Sequence, residues 1–448
     1  MRRLRRLAAL VALFLASCAV PLSQPSATSP GVTATATSPP VATASVVAAT
    51  ATATPRTFAP LLVFNPPPLH GDWVFALNGG IEAGGGRRSP FIGELWAAPL
   101  AGGAPVLVAQ YLDRQEGGAG LVGTNDLRRQ ISSDGRRVVL SVGAGARFRL
   151  VLIDLDRGAV TLLGPDDVDL IRPALSPDGT RVAFVRKPGA EGDDGLWLIG
   201  ADGAGMRQLR PGVKGLFTWI FGWTGDSRRI AFDQVESSAS YVVLDVTTGA
   251  VSSAVGFTTL LYGHPADWRS ASPSFVAGVA DAAFQGEYRI VVADRADEPQ
   301  RVLVRETNRF LLVGVPRWNP ITDEILYRRL IGIGRIEYYI VRSSGGDPVR
   351  VPLSVTPYIA EWTPDGGSIV YVAADQMPYA FYGASIHIAR RDGTGDRELF
   401  AAPRGGLTDL FTVRYPKVES EGPRERRPSP DVVTWTRSGP TDRVDDVV

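Results

Sequence analysis

Three histidines, one cysteine and no G-x-S-x-G motif leave this chain little material for nucleophilic catalysis. The nearest approaches to a nucleophile motif are "GGSIV" around Ser368 and "GASIH" around Ser385. Both end in the wrong residue, and both fall inside stretches that read as strands. His387 sits mid-strand in "SIHIAR", where a structural role is expected, while His70 and His264 lie near loop prolines. They share no metal-ligand spacing, so neither a His-dependent triad nor a zinc site is expected. The acidic turns "DLDRG" (154–158) and "PDDVD" (165–169) lack the ligand spacing of a calcium loop and read as turn formers. The glycine runs "GGGRR" (84–88) and "GIGRI" (332–336) lack the strand-to-helix context of a phosphate loop. They mark loop tips, and the insertion from Gly79 to Gly93 is a candidate contact surface. No cofactor is expected.

The elements that would position any chemistry come from a repeat. "RPALSPDGTRVAFVR" (172–186) reads as strand, tight turn, strand. Pro177 presets φ, Asp178 can bond the local backbone, and Gly179 accepts positive φ. The flanks are rich in the β-branched and aromatic residues of buried strands. Five more segments share the frame without gaps: "ISSDGRRVVL", "WTGDSRRIAF", "WRSASPSFVA", "WNPITDEILY" and "WTPDGGSIVY". The six frames open at Ile131, Leu175, Trp223, Trp268, Trp318 and Trp362, with Val, Ile or Phe seven positions later in each. The segment from Trp268 lacks Asp-Gly and is the most divergent.

Downstream in each unit an apolar strand runs into a Gly- or Asp-rich turn, as in "LVLIDLDRG", "LWLIGADGAG" and "YVVLDVTTG". Seven such strands occur, the extra one being "LWAAPLAGG" (95–103), in a degenerate first unit that contains "HGDWVFAL". A period of about 45 residues built from strands and turns is that of a four-stranded propeller blade.

The frame resembles that of the TolB-like family of β-propellers, whose repeat carries a Pro two residues before a Trp-Ser-Pro-Asp-Gly turn. Pro173 and Pro316 match the early Pro; Ser176, Pro177, Asp178 and Gly179 match the turn, as do Trp362, Pro364, Asp365 and Gly366. The resemblance covers residues 60–416. It implies an all-β propeller and little about function, because propellers host many activities. TolB-type propellers are commonly six-bladed. Here seven blades are expected, with six plus an N-terminal cap as the alternative. The first unit lacks an innermost strand, and "TDLFTVRY" (Thr408–Tyr415) is expected to supply it and close the ring.

The frame also locates charged residues. The residue before each frame opening is Gln130, Ala174, Gly222, Asp267, Arg317 and Glu361 in successive units, on the strand expected to line the axis. Arg317 lies between two anions from neighbouring blades, and its planar fork could bridge both. That constellation serves either as a salt-bridge plug or as a ligand site. The tryptophans that open four frames are expected to be buried between blades.

Charge and termini bound the function further. The chain has 47 Lys and Arg against 46 Asp and Glu, for a net charge of +1. Loss of a leader with Arg2, Arg3, Arg5 and Arg6 leaves 43 against 46, or −3, without a basic stripe for a phosphate backbone. Nucleic acid is not an expected partner. "MRRLRRLAALVALFLASC" joins a basic start to an apolar run shorter than the roughly 20 residues that span a bilayer. "LASC" resembles the bacterial lipobox, which makes residues 1–17 a signal peptide and Cys18 a lipid-attachment site. An ordinary signal with an incidental cysteine is the alternative.

Residues 18–59 are rich in Ala, Thr, Ser and Pro and read as a disordered tether, of reach up to ~135 Å if extended. Residues 417–448 read as a mostly disordered tail in which "DVVTWT" could pair as a strand. The expected protein is a lipid-anchored, extracytoplasmic propeller of the bacterial cell envelope. It would be a non-catalytic binding or scaffold module for an envelope protein, peptide or glycan. The alternatives are a lyase- or lactonase-type enzyme using carboxylates in the central funnel, or an accessory subunit of a separately encoded enzyme.

Overall fold

The computed structural model describes residues 62–63, 67, 70–79, 91–113, 127–144, 147–165, 167–186, 195–211, 220–235, 239–253, 259–260, 266–280, 288–295, 298–306, 311–331, 335–374, 383–402 and 407–415. All belong to a unit that begins at Arg56. The leader, Cys18, the tether, the tip of the Gly79–Gly93 insertion, His264, Gly332 to Gly334 and the tail lie outside the described residues.

The turn chemistry read from the sequence operates as written. In Ser176-Pro177-Asp178-Gly179 the Gly179 N–H donates to the Ser176 carbonyl at 2.7 Å, with Gly179 at φ 70°. Asp178 Oδ1 accepts from the Ser176 hydroxyl and the Thr180 N–H, and Ser176 Oγ accepts from the Arg181 N–H, so the tight turn satisfies its own polar groups. Ser132 with Asp134, Thr224 with Asp226 and Thr363 with Asp365 repeat this pattern. In the turn after Trp318, Asn319 Oδ1 accepts from the N–H groups of Ile321 and Thr322 instead.

These turns also fasten consecutive blades. Ser133 N–H donates to the Pro177 carbonyl at 2.9 Å, Asp178 N–H to Ser227 Oγ at 3.1 Å, and Asn319 Nδ2 to the Gly366 carbonyl at 3.0 Å. Gly225 is held to glycine by the same crowding, since a Cβ there would lie 2.2 Å from the Arg269 carbonyl of the next turn.

The described strands form seven antiparallel blades in a ring. Blade 3 is a complete unit: Leu170–Leu175, Arg181–Arg186, Gly195–Gly200 and Arg207–Pro211, from axis to rim. Seven apolar clusters are found among the described residues, each composed of side chains from two consecutive blades. The middle strands are therefore buried on both faces, as Val182, Ala183 and Phe184 are, which explains their continuous apolar runs. The four frame-opening tryptophans are buried in these clusters. Two of them also hook the preceding blade: Trp223 Nε1 donates to the Ala174 carbonyl at 2.9 Å, and Trp362 Nε1 to the Arg317 carbonyl at 3.2 Å.

Closure follows the expected route. Leu407–Tyr415 pairs with Gly71–Gly79 from Gly71↔Tyr415 to Asn78↔Leu407, and Phe91–Pro99 and Val106–Asp113 complete blade 1. The two residues Leu62–Val63 add to the outer edge of that blade.

Blade 2 departs from expectation. Its innermost strand is replaced by a helical turn, α1 (Leu127–Gln130), followed by a single bridge between Ile131 and Val138. Gln130 thus stands on a helix and not on a lining strand. In this turn Arg128 and Arg129 project about 100° apart, and each reaches a polar partner, Asp267 and the Ile220 carbonyl respectively.

Candidate functional site

The inner strands converge on an axial cavity of about 310 Å³ that opens on the face bearing the strand-to-strand turns. Its rim follows one position of the repeat frame, two residues after the opening: Ser133, Pro177, Gly225, Ser270, Pro320 and Pro364. Small or proline side chains at that position leave the mouth wide. Behind the rim stand the buried tryptophans, and the floor carries charge.

The floor is built from α1 and three inner strands. Arg128 forms a bidentate pair with Asp267, Nε to Oδ1 at 2.8 Å and Nη2 to Oδ2 at 3.0 Å, and its Nη1 donates to Glu361 Oε2. Asp267 also accepts the Trp318 N–H at 2.7 Å, and Glu361 accepts the Trp362 N–H at 3.0 Å. Arg317 Nε lies 3.2 Å from Glu361 Oε2, an ion pair without hydrogen-bond alignment, and Nη1 of Arg317 donates to the Pro316 carbonyl. Asp267, Arg317 and Glu361 are 3%, 2% and 3% exposed. The cation that joins both carboxylates is therefore Arg128 and not Arg317, which pairs with Glu361 alone. Gln130 is 1% exposed and is not part of the cavity lining.

Two further contacts fix α1. Leu127 N–H donates to Asp409 Oδ2 of the closing strand at 2.6 Å, and Arg129 donates to the Ile220 carbonyl. Arg128 lies over the Phe411 ring and Arg129 over the Phe221 ring, each at 5.9 Å to the centroid. At the rim Arg414 forms a bidentate pair with Asp72 at 2.7 Å for both bonds.

Arg128 escaped the sequence reading because it precedes the frame by three residues, in a helix too short to show a 3.6-residue period. The usable signal is the Arg-Arg doublet at a place where an inner strand should begin.

Away from the axis, the structure assembles a cluster that sequence patterns passed over. Ser385 Oγ lies 3.1 Å from His387 Nε2, and His387 Nδ1 lies 3.6 Å from Asp396 Oδ1. His387 is therefore not solitary within its strand. Among the described residues no group of three or more His, Cys, Asp or Glu is disposed to hold a metal ion, and no helix is long and apolar enough to cross a membrane.

No protein-family model matches the sequence, and no curated protein is significantly similar to it. Solved structures do align. Puromycin hydrolase complexed with PGG is 14% identical, with a TM-score of 0.51, over 75% of this chain and 53% of that one. This chain thus spans about half the length of that hydrolase. Oligogalacturonate lyase from Vibrio parahaemolyticus is 11% identical, with a TM-score of 0.48, over 75% and 87% of the two chains. TolB from Acinetobacter baumannii is 15% identical, with a TM-score of 0.40, over 78% and 67%. At such identities the likeness concerns the fold. No activity, ligand or partner of these proteins carries over to this chain.

Proposed function

We propose that this propeller is a lipid-anchored, extracytoplasmic binding or scaffold module of the bacterial envelope, and that the axial mouth receives a segment of an envelope protein, a peptide or a glycan. The observation that carries this reading is the charge pairing of the floor. Asp267 accepts two guanidinium N–H bonds and one main-chain N–H, while Glu361 accepts from Arg128 and the Trp362 N–H and pairs with Arg317. A general base or a metal ligand must be free to take up a proton or a cation, and here each carboxylate is already paired with a guanidinium and bonded to a main-chain N–H. This disfavours a lyase or lactonase acting through the funnel carboxylates. The rim, by contrast, offers serine hydroxyls and proline rings around an open mouth. An accessory-subunit role is one form of the same reading, with the enzyme as the partner held at the mouth.

The anchor rests on the sequence: Cys18 is the sole cysteine and falls where a lipobox places it, ahead of a tether that would give the propeller freedom to search. Mass spectrometry of the mature protein should find an acylated Cys18 with residues 1–17 removed. An unmodified N-terminus elsewhere in the tether would reject the anchor.

The mouth is tested by affinity capture from native membranes with wild type and with Ser270→Trp, which fills the exposed rim. One stoichiometric partner, lost in Ser270→Trp at unchanged melting temperature, is the expected result. Equal recovery by both, or small-molecule turnover that depends on Asp267 or Glu361, would overturn the reading.

A further inference from the structure

The outer half of blade 7 holds a nucleophile, a base and a carboxylate in sequence. Ser385 and His387 lie on Gly383–Arg390, two residues apart and so on the same face, with Ile386 between them turned into the apolar cluster on the other side. The Ser385 Oγ to His387 Nε2 distance of 3.1 Å is within hydrogen-bond reach. On its far side the imidazole presents Nδ1 to Asp396 Oδ1 at 3.6 Å, and that nitrogen is buried with no hydrogen-bonded partner. A carboxylate there favours the tautomer with the proton on Nδ1, which leaves the Nε2 lone pair for the serine hydroxyl.

The carboxylate is itself held in place. Tyr371 O–H donates to Asp396 at 2.9 Å and 2.7 Å, and Ser354 N–H donates at 2.7 Å from the segment that links blades 6 and 7. Burial would raise the Asp396 pKa, but the donors from Ser354 and Tyr371 outweigh it and hold the carboxyl below its ordinary range. Burial and the Asp396 bond push the Tyr371 hydroxyl up, so it remains a donor. The Tyr371 ring packs on His387 at 5.3 Å between centroids and fixes the plane of the imidazole. Glu398 is the other acidic group near the histidine, 3.9 Å from Nε2 and half exposed. His387 and Asp396 side chains are 13% and 7% exposed, so their interaction is little weakened by solvent.

We propose that Ser385 is an activated nucleophile, with His387 as its base and Asp396 as the group that orients the base, and that it accepts an acyl group from a small activated carboxylic ester. Ser385 Oγ bonds to the carbonyl carbon while its proton passes to His387 Nε2. The ester C–O bond then breaks, and the leaving alkoxide takes that proton. Water, deprotonated by Nε2, hydrolyses the acyl-serine and restores the hydroxyl. This centre is separate from the axial mouth and shares no residue with it.

The test is labelling of the full chain with a fluorophosphonate, the modified residue being mapped by peptide mass spectrometry. The expected result is an adduct at Ser385 that protects against acylation by p-nitrophenyl acetate. His387→Gln should slow adduct formation by about 10²–10⁴-fold, the usual contribution of a positioned base. Guanidinium-unfolded wild type gives the comparison that needs no variant: Ser385 should lose its reactivity on unfolding. Absence of an adduct at Ser385, or equal labelling rates in wild type and either His387→Gln or unfolded protein, would overturn the proposal.

Discussion

The Tyr415 hydroxyl donates to the Gly135 carbonyl at 2.7 Å, joining residues 280 positions apart in the chain. Through this bond the last residue of the closing strand reaches the turn of blade 2, and blade 1 is fixed to its neighbour. Gly135 has φ 67°, and a Cβ there would lie 2.5 Å from Val413 Cγ2. The turn and the strand therefore fit only through glycine.

Gly135→Ala should destabilise the ring by roughly 1–3 kcal/mol, the usual cost of a strained backbone position. Tyr415→Phe should cost about 0.5–1.5 kcal/mol, the net worth of one hydrogen bond. Urea denaturation measures both. A Gly135→Ala protein as stable as wild type would show that the closing strand does not pack on this turn.

Arg128→Ala should be more damaging than loss of an ordinary surface arginine. It leaves Asp267 and Glu361 buried without their shared cation, and breaking a buried ion pair costs about 3–5 kcal/mol. Arg128→Lys should recover part of this, because a single ammonium cannot reproduce the bidentate bond and the second pair together. The loss should persist in 1 M salt, since buried pairs are weakly screened. An Arg128→Ala protein with wild-type stability would remove the plug from the account of the floor.

Trp362 is 1% exposed and packs between blades 6 and 7. Trp362→Ala should cost about 3–5 kcal/mol, from the cavity it leaves and the lost bond to the Arg317 carbonyl. Calorimetry should show a clear fall in melting temperature. A change within about 0.5 kcal/mol, the range of ordinary surface substitutions, would contradict the burial.

Asp365 offers a pH test. The Thr363 hydroxyl bond, aided by the Gly367 N–H and nearby Arg414, lowers its pKa below the usual carboxylate value despite partial burial. The folded pKa thus lies under the unfolded one. The stabilisation is complete above the ordinary carboxylate range, near pH 4, and fades as pH falls through the folded value. The stability gap between wild type and Asp365→Asn should be largest at neutral pH and shrink in acid. A gap that is constant with pH would contradict the lowered pKa.

Much of this was legible in the repeat. One frame position, just before the opening residue, brings Asp267, Arg317 and Glu361 to the axis. The opening residue builds the walls, and the position two residues later builds the rim. Period and turn chemistry are local, so they survive in the sequence. The partner of Asp267 was not legible, because Arg128 sits in a four-residue turn whose start is capped by Asp409, 282 residues away. The Ser385 cluster escaped for a related reason. Its carboxylate comes from a turn whose position depends on Ser354 and Tyr371, and no spacing rule joins those residues.

Blade 1 draws its inner strand from residues 407–415 and the rest from residues 62–113, and this sets a schedule for biogenesis. A chain made from its N-terminus can complete blades 3 to 7 as they emerge. Until Tyr415 has appeared, the strand Gly71–Gly79 waits with an open edge, and α1 lacks the Asp409 carboxylate that caps it. An unpaired edge of nine residues is a template for another chain. Nascent protein is thus most exposed to strand exchange and chaperone capture in the interval before residues 407–415 are released, and chains truncated before residue 407 should aggregate even though most of their blades are whole.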